Sequence, residues 1–333
     1  MSTNKAPLLV VGGTGAVGSR AVKALRRLQP ALPIAIGARN LQKASALAGE
    51  SGNAQALAID LERRDLGLSP QDGYSGVLVL LRDTTLNSMK FAQDRKLPYI
   101  SFASFTPDVG PEVALFAQHP QASAVMLLGQ YLGGVAAMAT LHFAAEFRRV
   151  QAIAIGGLLD ADDLGGPMAQ EDIGRLENEG LRPLVRLDGD YVWLDPQQAQ
   201  RSFIDIDGKP RTGMAYPLLD VVSLSAATGA RSVRVDLAVR EESAAQDGPS
   251  HQVVIEIEGE LRSGATALRR YGMLDRNPYS ALSAYGAALA AERMLGLSGS
   301  GPAAPGLHQP ESLLDAAYVT QRLTSLGVEL RTL

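Results

Sequence analysis

The chain has 333 residues, of which 46% are hydrophobic and 20% are charged, and its formal net charge at pH 7 is −4. This length allows two domains of ordinary size, and the weak negative charge gives no general attraction to nucleic acid or to an anionic membrane surface. The absence of cysteine excludes disulfides, thiolate metal sites and cysteine nucleophiles.

One uncharged stretch, residues 113–145, is longer than a membrane span requires. Gln130, Tyr131 and the Gly133-Gly134 pair interrupt it in the middle, so the stretch is more typical of a buried strand (residues 124–128) followed by a buried helix (residues 134–147). No signal-peptide pattern precedes the first predicted strand. We therefore expect a soluble, cytoplasmic protein whose partners include neither a membrane nor nucleic acid.

The first motif lies near the start of the chain, where an apolar strand (residues 8–11) is followed by glycines and a helical pattern. The spacing is G-x-G-x-x-G from Gly13, and in such a strand–turn–helix unit the glycines permit a tight turn and close approach of the backbone to a pyrophosphate. Unpaired N–H groups at the positive end of the helix then hold the pyrophosphate. A plain tight turn is the alternative. The candidate cofactor-binding residues are Gly12, Gly13, Thr14, Gly15, Ala16, Val17 and Gly18.

The second predicted strand (residues 34–37) ends at Ala38-Arg39-Asn40. An NAD-specific site places an Asp or Glu about 20 residues beyond the last glycine, where it binds the ribose hydroxyls, and this chain has no acid there. A guanidinium can pair with a 2′-phosphate and stack on adenine, so Arg39, with Asn40, favours NADP, and NAD is the alternative cofactor. Arg39 can also be a solvated arginine at a strand end.

Three further strands are predicted in this half, at residues 54–59, 77–81 and 99–102. The carboxyl ends of strands in a parallel sheet border the crevice where ligands bind. Asp60, Leu81, Arg82 and Ser101 are therefore the remaining candidate cofactor-binding residues, and Ser104 follows the last of these strands. Asp83 and Thr84 can equally cap the helix that follows them.

A glycine-rich crossing, residues 129–134, follows the strand predicted at 124–128. Gln130 and Tyr131 are its polar side chains and are our candidate catalytic residues, with Tyr131 as the first choice for proton donor. The alternative is a domain hinge with Tyr131 packed in the interface. None of the four histidines (119, 142, 251 and 308) has a recognisable catalytic context, and we expect each to be structural or solvated.

From residue 151 onward, apolar residues alternate along several short segments, which is typical of strands. Asp188-Gly189 and Asp207-Gly208 lie between such segments and predict hairpin turns. An acidic cluster without the spacing of a calcium loop is expected to be solvated; it comprises Asp160, Asp162, Asp163, Glu171 and Asp172. The predicted fold is α/β, with a Rossmann-type doubly wound parallel sheet and a second α+β domain whose sheet is largely antiparallel.

Several segments together resemble the saccharopine dehydrogenase-like reductases. They are VVGGTGAVGSRAV, GARNLQKASALA, PYISF, the glycine crossing, NPYSALSAYGAALAAERML and APGLHQPESLLD. The resemblance implies an NAD(P)-dependent oxidoreductase acting on a small molecule through carbonyl, imine or opine-type chemistry, and it implies a homodimer. It also implies that C-terminal helices return to the first domain, which gives domains of 1–128 with 279–333 and of 129–278.

The chain departs from that family at the positions that would define a substrate. Leu81-Arg82-Asp83 stands where a more polar, asparagine-containing loop is usual, Ser101 stands where Asp is frequent, and Gly133-Gly134 replaces a proline–glycine pair. The cofactor assignment survives these departures, whereas the substrate is left open.

Two other classes of protein fit the glycine motif. The short-chain dehydrogenases carry a catalytic Tyr-x-x-x-Lys, and no tyrosine of this chain has a lysine four residues later. An atypical member of that group, binding NADP as a redox sensor without catalysis, is the alternative function. A structural subunit that kept only the fold would have no affinity for the cofactor.

Overall fold

The computed structural model describes residues 6–102, 105, 108–161, 163–178, 180–240 and 250–333. The chain divides into two compact units, one of residues 1–128 with 283–313 and the other of residues 129–282 with 314–333. Among the described residues, no helix is both long enough and apolar enough to cross a membrane.

Strands and helices alternate through the first part of the chain. In order they are β1 (Leu8–Val11), α1 (Ala16–Leu28), β2 (Ile34–Ala38), α2 (Leu41–Ser51), β3 (Ala54–Ala58), β4 (Gly76–Val79), α3 (Asn87–Asp94), β5 (Tyr99–Ser101), α4 (Val109–Gln118) and β6 (Ala124–Leu127).

After residue 128 the strands are longer and the helices fewer. A 3-10 turn (Tyr131–Gly134) leads into α5 (Val135–Ala144), β7 (Phe147–Asp160), α6 (Pro167–Asn178), β8 (Leu184–Leu187), β9 (Asp190–Trp193), β10 (Gln200–Ile204), β11 (Pro210–Ala215), α7 (Asp220–Thr228), β12 (Ser232–Arg240), β13 (His251–Leu261) and β14 (Thr266–Asp275). The chain ends with α8 (Ser280–Met294), β15 (Gly306–His308), α9 (Pro310–Leu313), α10 (Ala316–Leu326) and β16 (Glu329–Thr332).

The first unit contains a seven-stranded sheet in the order β15-β6-β5-β4-β1-β2-β3, and its neighbouring strands pair in parallel. β1, β2, β4, β5 and β6 are buried along their whole length, as expected for a parallel sheet covered on both faces. The strand order reverses between β1 and β4, which is where ligand crevices form in such sheets. The predicted Rossmann-type sheet is confirmed.

The second unit contains a mixed sheet, in which β10-β11-β12-β7-β13-β14-β16 lie side by side and β8 and β9 extend from β12. Within the described residues the β12–β7 pair is parallel and the other pairs are antiparallel, so the predicted largely antiparallel sheet is confirmed. Asp188 and Gly189, both with positive φ, form the turn between β8 and β9. This is the geometry of a two-residue hairpin whose twist matches that of its strands.

Some boundaries differ from the sequence prediction. The helix predicted to reach residue 147 ends at Ala144, because Phe147 is buried as the first residue of β7. β16 pairs with β14, and α10 packs against α5, so residues 314–333 lie with the second unit rather than the first.

The acidic cluster was expected to be solvated, and that prediction is wrong for two of its members. Asp160 is 1% exposed and forms an ion pair with Arg240 at 3.0 Å, and Asp172 is also buried beside Arg175. A buried carboxylate needs such a partner because removal from water is costly. Asp162 lies outside the described residues.

Candidate functional site

The glycine turn after β1 has a backbone that only glycine suits at two positions. Gly12 has φ of +80°, and its N–H and that of Gly13 donate to the carbonyl of Gly37, at 3.0 and 3.3 Å. A Cβ on Gly18 would lie 2.2 Å from the carbonyl oxygen of Gly12, so any side chain there would push α1 away from the turn. These contacts hold the start of α1 directly against the end of β1.

The start of α1 is suited to an anion. Ala16 is the first helical residue, and the first turn contains no acidic side chain. The first N–H groups of a helix have no acceptor within the helix and carry its positive partial charge. Gly15 is exposed and Thr14, Ala16 and Val17 are partly exposed, so the backbone can be approached from solvent. The turn therefore fits a pyrophosphate.

The residues that follow β2 have separate tasks in the structure. Asn40 caps α2, because its side chain accepts a hydrogen bond from the N–H of Lys43 at 3.0 Å. Arg39 is exposed, and its guanidinium makes no hydrogen bond or ion pair with any residue that the structure describes. No carboxylate side chain occurs between residues 37 and 40. A free guanidinium thus stands at the end of β2.

Asp60 follows β3 and organises its own turn. Its carboxylate accepts the N–H of Glu62 at 3.0 Å, and its N–H donates to the carbonyl of Leu66 at 3.1 Å. The Asp60 side chain is exposed, just beyond the carboxyl end of β3, the edge strand of the sheet.

The loop after β4 approaches the glycine turn. A Cβ on Gly12 would lie 3.1 Å from both the carbonyl oxygen of Leu80 and a methyl carbon of Leu81, so these residues contact the turn closely. Arg82 follows and is partly buried. The carboxyl ends of β1 and β4 therefore meet, as the predicted crevice requires.

Asp83 stabilises the start of α3. It accepts hydrogen bonds from the N–H and hydroxyl of Thr85 and from the N–H and hydroxyl of Ser88, at 2.6–3.0 Å. Of the two roles considered for Asp83, the structure shows capping.

Ser101 is the last residue of β5 and is 4% exposed. On the same strand, the hydroxyl of Tyr99 donates to the carboxylate of Glu112 at 3.3 Å. Burial raises the pKa of Glu112, so this end of the sheet holds a carboxyl group that resists ionisation. Ser104, which follows in sequence, lies outside the described residues.

In the second unit, the glycine crossing turns through three consecutive residues with positive φ: Leu132, Gly133 and Gly134. This turn fixes Tyr131, whose N–H donates to the carboxylate of Asp220 at 2.6 Å. Asp220 is fully buried at the start of α7. Gln130 precedes the turn and is 2% exposed.

The Tyr131 hydroxyl lies 2.7 Å from Nε2 of His251, the first residue of β13. Both side chains are buried, at 2% and 1% exposed. Gly157 of β7 makes room for the hydroxyl, because a Cβ there would lie 2.2 Å from it. Tyr279 packs edge-on against the His251 ring, with centroids 5.1 Å apart. Tyr131 is therefore packed within the second unit, against a titratable partner.

Burial determines the charge state of this pair. It lowers the pKa of His251 to about 3 and raises the pKa of Tyr131 well above its usual value, with the nearby Tyr279 and Asp220 adding to the second effect. Both groups are neutral around pH 7. They can therefore exchange hydrogen bonds, and relay a proton, without holding a net charge.

The sequence predicts His251 to be structural or solvated, but it does not indicate the hydrogen bond with Tyr131. Its partner is 120 residues away, and no local motif links the two. The one signal that the sequence offered for this contact was the position of His251 as the first residue of a strand.

The comparisons with known proteins identify the fold. No protein-family profile matches the sequence, and no curated protein matches it. Among solved structures, apo saccharopine dehydrogenase (L-Glu forming) from Saccharomyces cerevisiae superposes with a TM-score of 0.67 at 15% identity, covering 99% of this chain and 100% of that one.

Two further structures are similar at the level of the fold. They are scyllo-inositol dehydrogenase from Lactobacillus casei, with a TM-score of 0.51 at 11% identity and 99% coverage of both chains, and a probable dehydrogenase from Thermotoga maritima, with a TM-score of 0.50 at 12% identity and 98% coverage of both. The resemblance to saccharopine dehydrogenase is thus confirmed for the fold, over nearly the whole length of both chains.

Proposed function

We propose that this protein is an NADP-dependent oxidoreductase of saccharopine reductase-like type. It would transfer a hydride between a nicotinamide and a carbonyl, imine or opine-like small molecule. The observation that carries the proposal is the glycine turn, where Gly18 allows α1 to start in contact with the carbonyl of Gly12. A pyrophosphate would be held by the N–H groups of residues 14 and 16–18, since those of Gly13 and Gly15 donate to backbone carbonyls.

The choice of NADP over NAD rests on Arg39. An exposed guanidinium that has no partner among the described residues, at a strand end that lacks a carboxylate, suits a 2′-phosphate. Asn40 would support this site through its backbone, since its side chain caps α2. Asp60 would lie towards the adenine, and Leu81, Arg82 and Ser101 would border the nicotinamide half.

When bound, the cofactor would supply the hydride, and the protein would orient the substrate and move a proton. We assign the role of proton donor to the Tyr131 hydroxyl, which shares a hydrogen bond with His251, and both side chains are buried. Gln130 is the neighbouring polar side chain for orienting the substrate. The protein would act in the cytoplasm as a homodimer.

Calorimetric titration with NADPH and NADH tests the cofactor assignment, using wild type, Arg39→Ala and Arg331→Ala. The control removes an equally exposed arginine from β16, in the second unit. We expect Arg39→Ala to weaken NADPH binding by about 1.5–3 kcal/mol, the range of hydrogen bonds to charged groups, and to leave NADH binding unchanged. Equal loss for both nucleotides, or loss in the control as well, would remove the 2′-phosphate role.

A further inference from the structure

Two polar side chains come together at one end of the β13–β14 hairpin. His251 is the first residue of β13 and Asp275 is the last of β14, and they are direct partners in the antiparallel register. The Cβ atoms of such partners lie about 5 Å apart, and their side chains project from the same face of the sheet. Asp275 is therefore the carboxyl group that strand register places opposite His251.

Each of these residues has one buried polar atom whose hydrogen-bonding capacity is unused. His251 uses Nε2 for Tyr131, and Asp275 uses Oδ1 for the N–H and side-chain amide of Asn277, at 3.2 and 2.7 Å. Within the residues described, His251 Nδ1 and Asp275 Oδ2 are enclosed and have no hydrogen-bond partner. The side chains are 1% and 0% exposed.

Leaving such atoms unsatisfied is costly, at about 1–3 kcal/mol for each group. Nearly all buried polar groups in proteins have a partner, and ordered water is a frequent one. Two unsatisfied atoms on cross-strand partners are most simply explained by one interaction that satisfies both.

We infer that Asp275 completes a relay with His251 and Tyr131, in which one water molecule bridges Asp275 Oδ2 and His251 Nδ1, since the two atoms form no direct hydrogen bond. Asp275 and His251 are positioning residues in this relay: they set the direction in which the Tyr131 hydroxyl donates. The inference rests on the proposed function for its role in a reaction, but the hydrogen bonds exist without a cofactor.

The charges around the relay favour a neutral form. Burial raises the pKa of Asp275 and lowers that of His251. The rings of Tyr131 and Tyr279 lie against His251, and Asp220 and Tyr216 lie near enough to act on the Tyr131 hydroxyl. In the inferred relay Asp275 carries a proton and donates it through the water to Nδ1, and Nε2–H donates to the oxygen of Tyr131. The Tyr131 O–H is then the donor to the substrate.

In the reducing direction the bound cofactor would supply a hydride to the substrate carbon, and the Tyr131 O–H bond would break to give a proton to the substrate oxygen or nitrogen. The Nε2 proton of His251 moves to Tyr131, and the Asp275 proton moves through the water to Nδ1. Asp275 ends as a carboxylate and regains one proton from solvent, and each transfer reverses for oxidation.

Nitrogen-15 NMR of the histidine side chains tests the relay without nucleotide. The chain has four histidines, and the signals of His251 are assigned by their loss in His251→Gln. We expect a neutral ring from pH 5 to pH 8, in the Nε2–H tautomer, with Nδ1 at the shift of a hydrogen-bonded acceptor. A free-acceptor shift at Nδ1, or a charged ring at pH 6, would overturn the inference.

Substitution of Asp275 tests its part directly. In Asp275→Leu, Nδ1 is expected to move to the shift of a free acceptor, whereas Asp190→Asn, an exposed control in β9 of the same unit, leaves it unchanged. An unchanged Nδ1 in Asp275→Leu would contradict the relay. If that variant does not fold, the wild-type spectrum alone decides.

A kinetic arm tests the role of the relay in catalysis. With any substrate that supports NADPH oxidation, Asp275→Asn should lower kcat about tenfold or more while KM for NADPH is unchanged. An unchanged kcat would mean that the cluster is structural only. The NMR measurement needs no cofactor, so the two proposals can fail separately. Failure of NADPH binding would overturn the proposed function and leave the relay intact. Failure of the NMR prediction would overturn the relay and leave the proposed function intact.

Discussion

The hydroxyl of Tyr131 and Nε2 of His251 lie 2.7 Å apart, although the two residues are 120 positions apart in the chain. The contact depends on the turn that fixes Tyr131 and on Gly157, whose missing side chain leaves space for the hydroxyl. It joins the candidate proton donor to a histidine that burial keeps neutral.

Removal of the hydroxyl is expected to destabilise the fold. Tyr131→Phe leaves His251 Nε2 buried without a partner, so the free energy of unfolding should fall by about 1–3 kcal/mol. Tyr191→Phe is the control, because Tyr191 is 49% exposed and should change stability by less than about 0.5 kcal/mol. Urea denaturation measures both variants, and equal effects would contradict a buried hydrogen bond.

His251 should make stability depend on pH. Burial lowers its pKa from 6.5 to about 3, so below about pH 6.5 the unfolded chain binds a proton that the folded protein excludes. The contribution of His251 to the free energy of unfolding therefore decreases as pH falls from about 6.5 towards 3.

The measurement compares wild type with His251→Gln between pH 6 and pH 4. The loss in wild type should be steeper by about 1 kcal/mol per pH unit, since one pKa unit corresponds to about 1.4 kcal/mol. His308→Gln, which changes a partly exposed histidine, should keep the wild-type slope. Parallel slopes for wild type and His251→Gln would show that His251 is protonated in the folded state.

Glu311 should make the free energy of unfolding depend on pH in the opposite direction to His251. Burial raises its pKa to about 7, and its Oε2 is enclosed without a hydrogen-bond partner among the described residues. The contribution of Glu311 to the free energy of unfolding is fully present below about pH 4.5 and is lost as pH rises through about 7.

Glu311→Gln should therefore be more stable than wild type by about 1–3 kcal/mol at pH 8 and show no such gain at pH 4. Glu62→Gln, an exposed control in the same unit, should show no gain at either pH. Thermal unfolding at the two pH values measures the difference. A gain of the same size at pH 4 would point to packing rather than to ionisation.

The glycine turn allows a matched pair of substitutions. Gly18→Ala places a Cβ 2.2 Å from a backbone oxygen, so the start of α1 must shift, and both stability and nucleotide affinity should fall. Gly49→Ala adds a Cβ in open space within α2, where alanine is favoured over glycine by up to about 1 kcal/mol. Gly49→Ala should leave the affinity for NADPH unchanged. Normal NADPH affinity in Gly18→Ala would contradict the assignment of the turn.

The parts of the fold that local sequence determines were predicted correctly. The Rossmann-type sheet follows from short apolar runs such as Leu8–Val11 alternating with amphipathic helices, and the β8–β9 hairpin follows from Asp188-Gly189. These features depend on residues close together in the chain, where spacing and backbone preference carry the information.

Features that depend on distant residues were missed. Nothing near His251 in the sequence indicates that it meets Tyr131, or that strand register places it opposite Asp275. The burial of Asp160 follows from its ion pair with Arg240, 80 residues away. The nucleotide-binding roles of Arg39, Arg82 and Ser101 are still predictions.

The central claim, that the protein is an NADP-dependent oxidoreductase, is tested most directly by NADPH oxidation followed at 340 nm. The substrates to offer are aldehydes, ketones and 2-oxo acids, each with and without amines. We predict substrate-dependent oxidation with NADPH preferred over NADH, and loss of turnover in Tyr131→Phe with retained NADPH binding. Tight NADPH binding without oxidation by any of these substrates would contradict the claim and favour a redox sensor, and no binding of either nucleotide would reduce the glycine turn to a structural element.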